Sequence, residues 1–158
     1  GHSLGGAIAQ AFARRHPQAV AGLVLVDPED GRLLTALEAV LPPELWAQRE
    51  RALAAAMPGM PPGVRAEMQA LRDSTTLGDA IDALPAVPTV VLTGTLINPR
   101  FPGNPEEQQA KLRMHERLVA RNPGAVHTRV PESRHYIQRD APAVVVEAVR
   151  SVLRRVGT

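Results

Sequence analysis

Three short apolar runs limit the fold of this chain more than anything else in it. "LVLV" at 23–26, "VPTVVLTG" at 87–94 and "AVHTRVPES" at 125–133 are rich in β-branched residues and stop at turn signals. The first is apolar without alternation and ends at Asp27-Pro28, the pattern of a strand covered on both faces. Elsewhere the apolar spacing is helical. Ile8, Ala11 and Phe12 mark a buried face on a helix over 7–17, with Arg14, Arg15 and His16 in its last turn and Pro17 as its stop. Asn104 as N-cap, Pro105 at the first helical position and Glu106 and Glu107 behind it open a helix that runs to Arg121. A final helix over 142–155 buries Val145, Val149, Val152 and Leu153, with Asp140 as its cap. Strands that alternate with helices in this way imply a parallel sheet with right-handed crossovers.

The stretch 31–86 contains no strand pattern. Leu33, Leu34, Leu37, Val40 and Leu41 share one helical face, and Pro43 and Glu44 open a second helix carrying Leu45, Trp46, Leu53 and Met57. "MPGMPPG" at 57–63 breaks the pattern. Val64, Met68 and Leu71 mark a third helix, and Leu77, Ile81 and Leu84 a fourth, with Ser74, Thr75 and Thr76 as candidate caps.

Chemistry enters at the opening turn, Gly1-His2-Ser3-Leu4-Gly5, which matches G-x-S-x-G. A nucleophilic serine must stand clear of the sheet, and a strand turning at once into a helix achieves this at the cost of strained dihedrals. Gly1 and Gly5 let the flanking backbones approach. The N–H of Leu4, at the start of the following helix, is a candidate donor to a developing oxyanion. The pentapeptide alone is weak, since a glycine-rich N-cap explains it equally well. The helix and buried strand that follow it, and a histidine far downstream, favour the nucleophile.

"GHSLGGAIAQAFARRHPQAVAGLVLVDP", "VPTVVLTG" and "SRHYIQRDAP" resemble the nucleophile elbow, the following strands and the histidine loop of the serine α/β-hydrolases. The resemblance spans the chain and is weakest over 31–86. It implies the C-terminal part of an α/β-hydrolase fold: parallel strands and flanking helices over 1–30 and 87–158, with 31–86 as a helical cap insert. It also implies that strands one to five precede Gly1. The expectation is then a truncated chain with an exposed sheet edge, inactive or poorly folded in isolation and lacking the second oxyanion donor.

A serine hydroxyl needs a base, and the resemblance places it at His135. His16, His115 and His127 read as helix-end, helix-face and strand residues, and His2 as a candidate substrate-binding residue beside Ser3. The family often carries the acid after the strand "VPTVVLTG", but this chain has Gly94-Thr95-Leu96-Ile97-Asn98 there, with no carboxylate. Asn98 could hold an imidazole but could not stabilise it by charge. The fold offers a second position at Asp27, with Glu29 and Asp30 as alternatives, although an aspartate before proline also caps turns.

The resemblance, taken with these residues, implies a cofactor-independent serine hydrolase acting on an ester or related acyl compound. The alternatives are a C–C bond hydrolase or acyltransferase using the same triad, or a binding protein that keeps the fold. Trp46, Met57, Met60 and Met68 suit an apolar acyl or ring pocket, or simply pack helices together. The chain has no cysteine, which excludes disulfides and thiolate metal sites and leaves the compartment open, and no histidine pair has metal-ligand spacing. Its net charge is only +2, and its arginines are scattered, without the aromatic interleaving of a nucleic-acid surface. No apolar run reaches the ~18 residues of a membrane span.

Overall fold

A computed structural model describes residues 1–30, 32–73, 84–101 and 103–157. Three strands form one parallel sheet: β1 (Leu23–Val26), β2 (Thr89–Gly94) and β3 (Ala125–Val130), in the order β1-β2-β3. Leu23 pairs with Thr89 and Thr89 with Ala125, so the three strands start level. His2 adds an isolated parallel bridge to Val26 on the other side of β1.

The helices are α1 (Leu4–Arg15), α2 (Leu33–Val40), α3 (Pro43–Ala56), α4 (Pro62–Asp73), α5 (Asn104–Ala120), α6 (Ile137–Asp140) and α7 (Pro142–Val156). The fourth helix expected around Leu77 and Ile81, and its caps Ser74, Thr75 and Thr76, lie outside the described residues. Leu84 lies just before β2 and is not helical.

Side chains alternate across the sheet. Val90 and Leu92 join Val26, Val130, Ile137 and Val152 on the face covered by α6 and α7. Val91 and Leu25 join Ala7 and Leu118 on the face covered by α1 and α5. A third cluster, Leu33, Leu37, Leu41 and Ala110, packs α2 against α5.

Several expected faces are turned. In α1 the buried residues are Gly6, Ala7, Gln10 and Ala13, while Ile8 and Phe12 are exposed. Small side chains bring this helix close to the sheet, and the large ones point into an open groove shared with Leu23, Leu153 and Val156. In α7 the buried positions are Ala148 and Val152, with Val145 packed at their edge; Val149 and Leu153 are exposed. Val40 is likewise exposed. The α1 helix also begins three residues earlier than its apolar spacing predicts, because Gly5 and Gly6 belong to it.

Candidate active site

The C-terminal ends of all three strands converge on one place. Gly1 runs beside β1, accepting from Val26 N–H (2.8 Å), and Ser3 N–H donates to Val26 O (3.1 Å). The chain then turns into α1. Ser3 takes φ 52° and ψ −126°, and Asp27, at the end of β1, takes φ 44°. Among the described residues these are the only non-glycine positions with positive φ, a conformation that costs about 1–3 kcal/mol and collects at functional sites. The glycine requirement is partly other than expected. A Cβ on Gly1 would lie 2.2 Å from the Gly5 carbonyl oxygen, so Gly1 is obligatory, but Gly5 faces open space and Gly6 is the residue pressed on Pro28.

Asp27 is fully buried, and its carboxylate has three donors. Gly94 N–H donates to Oδ1 (2.9 Å), while His135 Nδ1 (2.8 Å) and Lys111 Nζ (2.7 Å) both bond Oδ2. A carboxylate only accepts, so the His135 proton sits on Nδ1 and Nε2 is left as the basic atom. Burial works to raise the Asp27 pKa, but the His135 hydrogen bond and the Lys111 charge outweigh it and hold the carboxyl below its ordinary range.

The His135 loop is fitted to the end of β2. A Cβ on Gly94 would fall 1.8 Å from the Arg134 carbonyl oxygen, so only glycine admits this approach. Asp140 does not cap α7, whose N-cap is Ala141. Its Oδ2 instead accepts from Ser133 Oγ (3.1 Å) and Arg134 N–H (3.3 Å), bracing the loop just before His135. Asn104 likewise falls inside α5, behind Gly103 at the N-cap, and accepts from Asn98 N–H. Asn98 thus serves its own loop.

His2 bridges the elbow to His135. Its Nε2–H donates to the His135 carbonyl (2.9 Å), and its ring lies 4.6 Å from that of His135. Burial lowers the His2 pKa, disfavouring its charged form. The Ser3 side chain makes no hydrogen bond among the described residues; nucleophile–base bonds are often long before substrate binds.

The other carboxylates are differently engaged. Asp30 forms a two-pronged pair with Arg32 (3.0 and 2.9 Å). Glu29 N–H donates to Ser3 O (3.0 Å), and burial pushes its side-chain carboxyl up to about 7.

A cavity of about 470 Å³ opens beside His135. Leu33, Leu34, Leu53, Met60 and Met68 from the 31–86 stretch line it, with Glu29, Asp30, Arg49, Phe101, Glu107 and Tyr136. Of the residues expected to bind substrate, Met60 and Met68 line this wall; His2, Trp46 and Met57 do not. Trp46 instead packs on the α2 cluster, with the Arg49 guanidinium 5.9 Å from its ring and 5.5 Å from Phe101. Arg49 in turn pairs with Glu107 (2.9 Å).

Two features escaped sequence reasoning. Lys111 has no motif around it; its being the only lysine is the one signal it carries. The second is a buried chain of polar groups. Thr93 Oγ1 lies 2.7 Å from both His115 Nδ1 and His127 Nε2, and His115 Nε2 lies 2.9 Å from Pro28 O. The carbonyl requires a proton on His115 Nε2, and burial lowers the His115 pKa to about 4. Its Nδ1 is therefore bare and accepts from the Thr93 hydroxyl, which accepts from His127. The chain ties Pro28, and with it the Asp27 corner, to α5.

A family model described as the alpha/beta hydrolase fold matches residues 1–89. No curated protein sequence matches significantly. Among solved structures, a probable hydrolytic enzyme from Pseudomonas aeruginosa aligns at TM-score 0.56 and 23% identity, over 97% of this chain and 62% of its own. A thermophilic esterase from Thermogutta terrifontis aligns at TM-score 0.51 and 22% identity, over 100% and 64%. NosK from Streptomyces actuosus aligns at TM-score 0.55 and 22% identity, over 100% and 69%. The chain thus spans 62% and 64% of the length of the first two.

Proposed function

The chain belongs to the alpha/beta hydrolase fold family, and on that premise we propose that it carries the Ser-His-Asp machinery of a serine hydrolase acting on an ester or related acyl compound. Ser3 is the nucleophile, His135 the base and Asp27 the acid. The observation that carries this reading is the 2.8 Å bond from His135 Nδ1 to a fully buried Asp27 carboxylate, at the strand ends where the strained Ser3 turn stands.

The mechanism follows from the donors and acceptors. Ser3 Oγ attacks the substrate carbonyl carbon while its proton passes to His135 Nε2. Asp27 stays ionised and stabilises the imidazolium. The Leu4 N–H, without an intrahelical acceptor, faces the developing oxyanion. The tetrahedral intermediate collapses, His135 gives its proton to the leaving alkoxide, and an acyl-serine remains. Water, deprotonated by His135, then releases the acid and restores Ser3.

The helices of 31–86 act in this reading as a cap. Their leucines and methionines in the cavity wall support an apolar acyl or ring group as the bound part of the substrate.

The test is made on the product of the complete reading frame that contains this chain. A fluorophosphonate probe should label Ser3, and Ser3→Ala should abolish both labelling and hydrolysis of p-nitrophenyl esters. A folded protein that takes no label would favour a binding protein on this fold. Labelling without ester turnover would favour C–C hydrolysis or acyl transfer.

A further inference from the structure

Lys111 has no part in the mechanism above, yet it touches the acid directly. We infer that Lys111 is a positioning residue of this triad, sharing Asp27 Oδ2 with the His135 ring and so setting the lowest pH at which His135 acts as a base. The inference rests on the assignment of Asp27 and His135 under Proposed function.

The geometry is tight. Both nitrogens bond one oxygen, at 2.7 and 2.8 Å, so they stand at most about 5.5 Å apart, the two bonds laid end to end. The Lys111 side chain is 11% exposed and the Asp27 side chain 0%, so water screens their pair poorly. An ammonium at this distance opposes a second positive charge on the imidazole while leaving its neutral form untouched.

Other charged and titratable groups face the pair from every side. His2 lies tilted against His135 from the elbow, and burial disfavours its charged form. His115, beneath Asp27 on α5, is neutral for the same reason. On the cavity wall shared with His135, Glu29 acts in the opposite sense when ionised, favouring a charged ring, while Glu107 is paired with Arg49 and Asp30 with Arg32. Tyr136 packs edge-on to His135. Lys111 is the cation that bonds the acid directly.

Removing the lysine charge should therefore make imidazolium easier to form. In Lys111→Met and Lys111→Gln the midpoint of the His135 ring titration, followed by NMR, should rise by about one pH unit. The low-pH limb of fluorophosphonate labelling should rise with it. Lys111→Arg, which keeps the charge, should leave both near wild type. A lysine that only filled space would cost melting temperature, or lower the rate at every pH, without moving the midpoint. An unmoved midpoint in either neutral variant that folds overturns the inference. Because ring titration needs no turnover, a displaced midpoint without Ser3 labelling would sustain this role for Lys111 while sinking the proposed nucleophile.

Discussion

Replacing Asp27 by asparagine is the substitution on which the structure makes its firmest demand. The carboxylate accepts from Gly94 N–H at one oxygen and from both His135 and Lys111 at the other. An amide has one accepting end and one donating end. If its oxygen stays with Gly94, its NH2 confronts the His135 N–H and the ammonium. His135 can then keep the contact only by presenting a bare Nδ1, which puts the proton on Nε2, where the base needs a lone pair. That wrong tautomer costs about 10⁴ in turnover. If the amide is reversed, the buried Gly94 N–H is orphaned, at about 1–3 kcal/mol. Either way Lys111 loses its counter-charge. Breaking a buried pair costs about 3–5 kcal/mol, reduced here to about 2–3 because a flexible stem lets the ammonium reach water. Hydrolysis of p-nitrophenyl esters by Asp27→Asn should therefore show kcat down by about 10³–10⁴. KM should change little, because the side chain has no exposed surface to offer a substrate. Melting by circular dichroism should fall by about 5–10 °C. If kcat stayed within about threefold of wild type while the melting temperature fell, Asp27 would be a purely structural carboxylate and its role as triad acid would be refuted.

Glu29 is the acid whose folded-state pKa is raised, from an ordinary 4.5 to about 7, so its burden falls on the alkaline side. The folded state binds its proton more tightly than the unfolded chain does, and stability is lost as pH rises from about 4.5 through 7. Glu29→Gln should melt close to wild type at pH 5 and above it at pH 8, by up to about 3 kcal/mol; equal melting of the two proteins at pH 8 would show that the carboxyl is not strained by burial. Gly94→Ala should displace the His135 loop, because the new Cβ meets a backbone oxygen at 1.8 Å that cannot swing aside. A loss of at least about tenfold in kcat/KM is expected, and wild-type kinetics would show that the loop accommodates a methyl group. Thr93→Val leaves the buried His115 Nδ1 without its donor and should cost about 1–3 kcal/mol in urea unfolding; an unchanged denaturation midpoint would show that the polar chain contributes nothing.

The fold was legible where burial is two-sided. "LVLV" and "TVVL" carry apolar side chains toward both faces of the sheet, so no choice of face was needed to read them as strands. Helix faces were read less well, for a specific reason. Apolar spacing reports that a stripe exists and says nothing of what covers it. On α1 the sheet selects Ala7 and Ala13, which allow close approach, and leaves Ile8 and Phe12 outward. The G-x-S-x-G turn at Ser3 and the loop at His135 stand out in the sequence because each signal is local. Asp27 was preferred on a position within a fold, and the structure joins it to His135, while Asp30 goes to Arg32. Lys111 and the Thr93 chain could not be read, since each is a contact made across 84 or 22 to 34 residues with no local pattern to mark it.

The strain in the site explains why its parts come as a set. Ser3 and Asp27 both hold positive φ, and neither could keep it alone against the few kcal/mol that would relax it. Each is locked by the strand beside it, Ser3 by β1 and Asp27 by β2. Ser3 N–H donates to Val26 O, and Glu29 N–H returns a bond to Ser3 O, so the elbow is pinned on either side of Asp27. Asp27 N–H donates to Leu92 O, and Gly94 N–H returns a bond to the Asp27 carboxylate, so that corner is pinned in turn to β2. Gly94 is also where the Arg134 carbonyl rests, which carries the constraint into the His135 loop. Relaxing any one corner breaks hydrogen bonds belonging to the next. Ser3, Asp27 and His135 are therefore tied together by one run of contacts at the ends of β1 and β2, which is the pre-organisation that the proposed acyl transfer would demand.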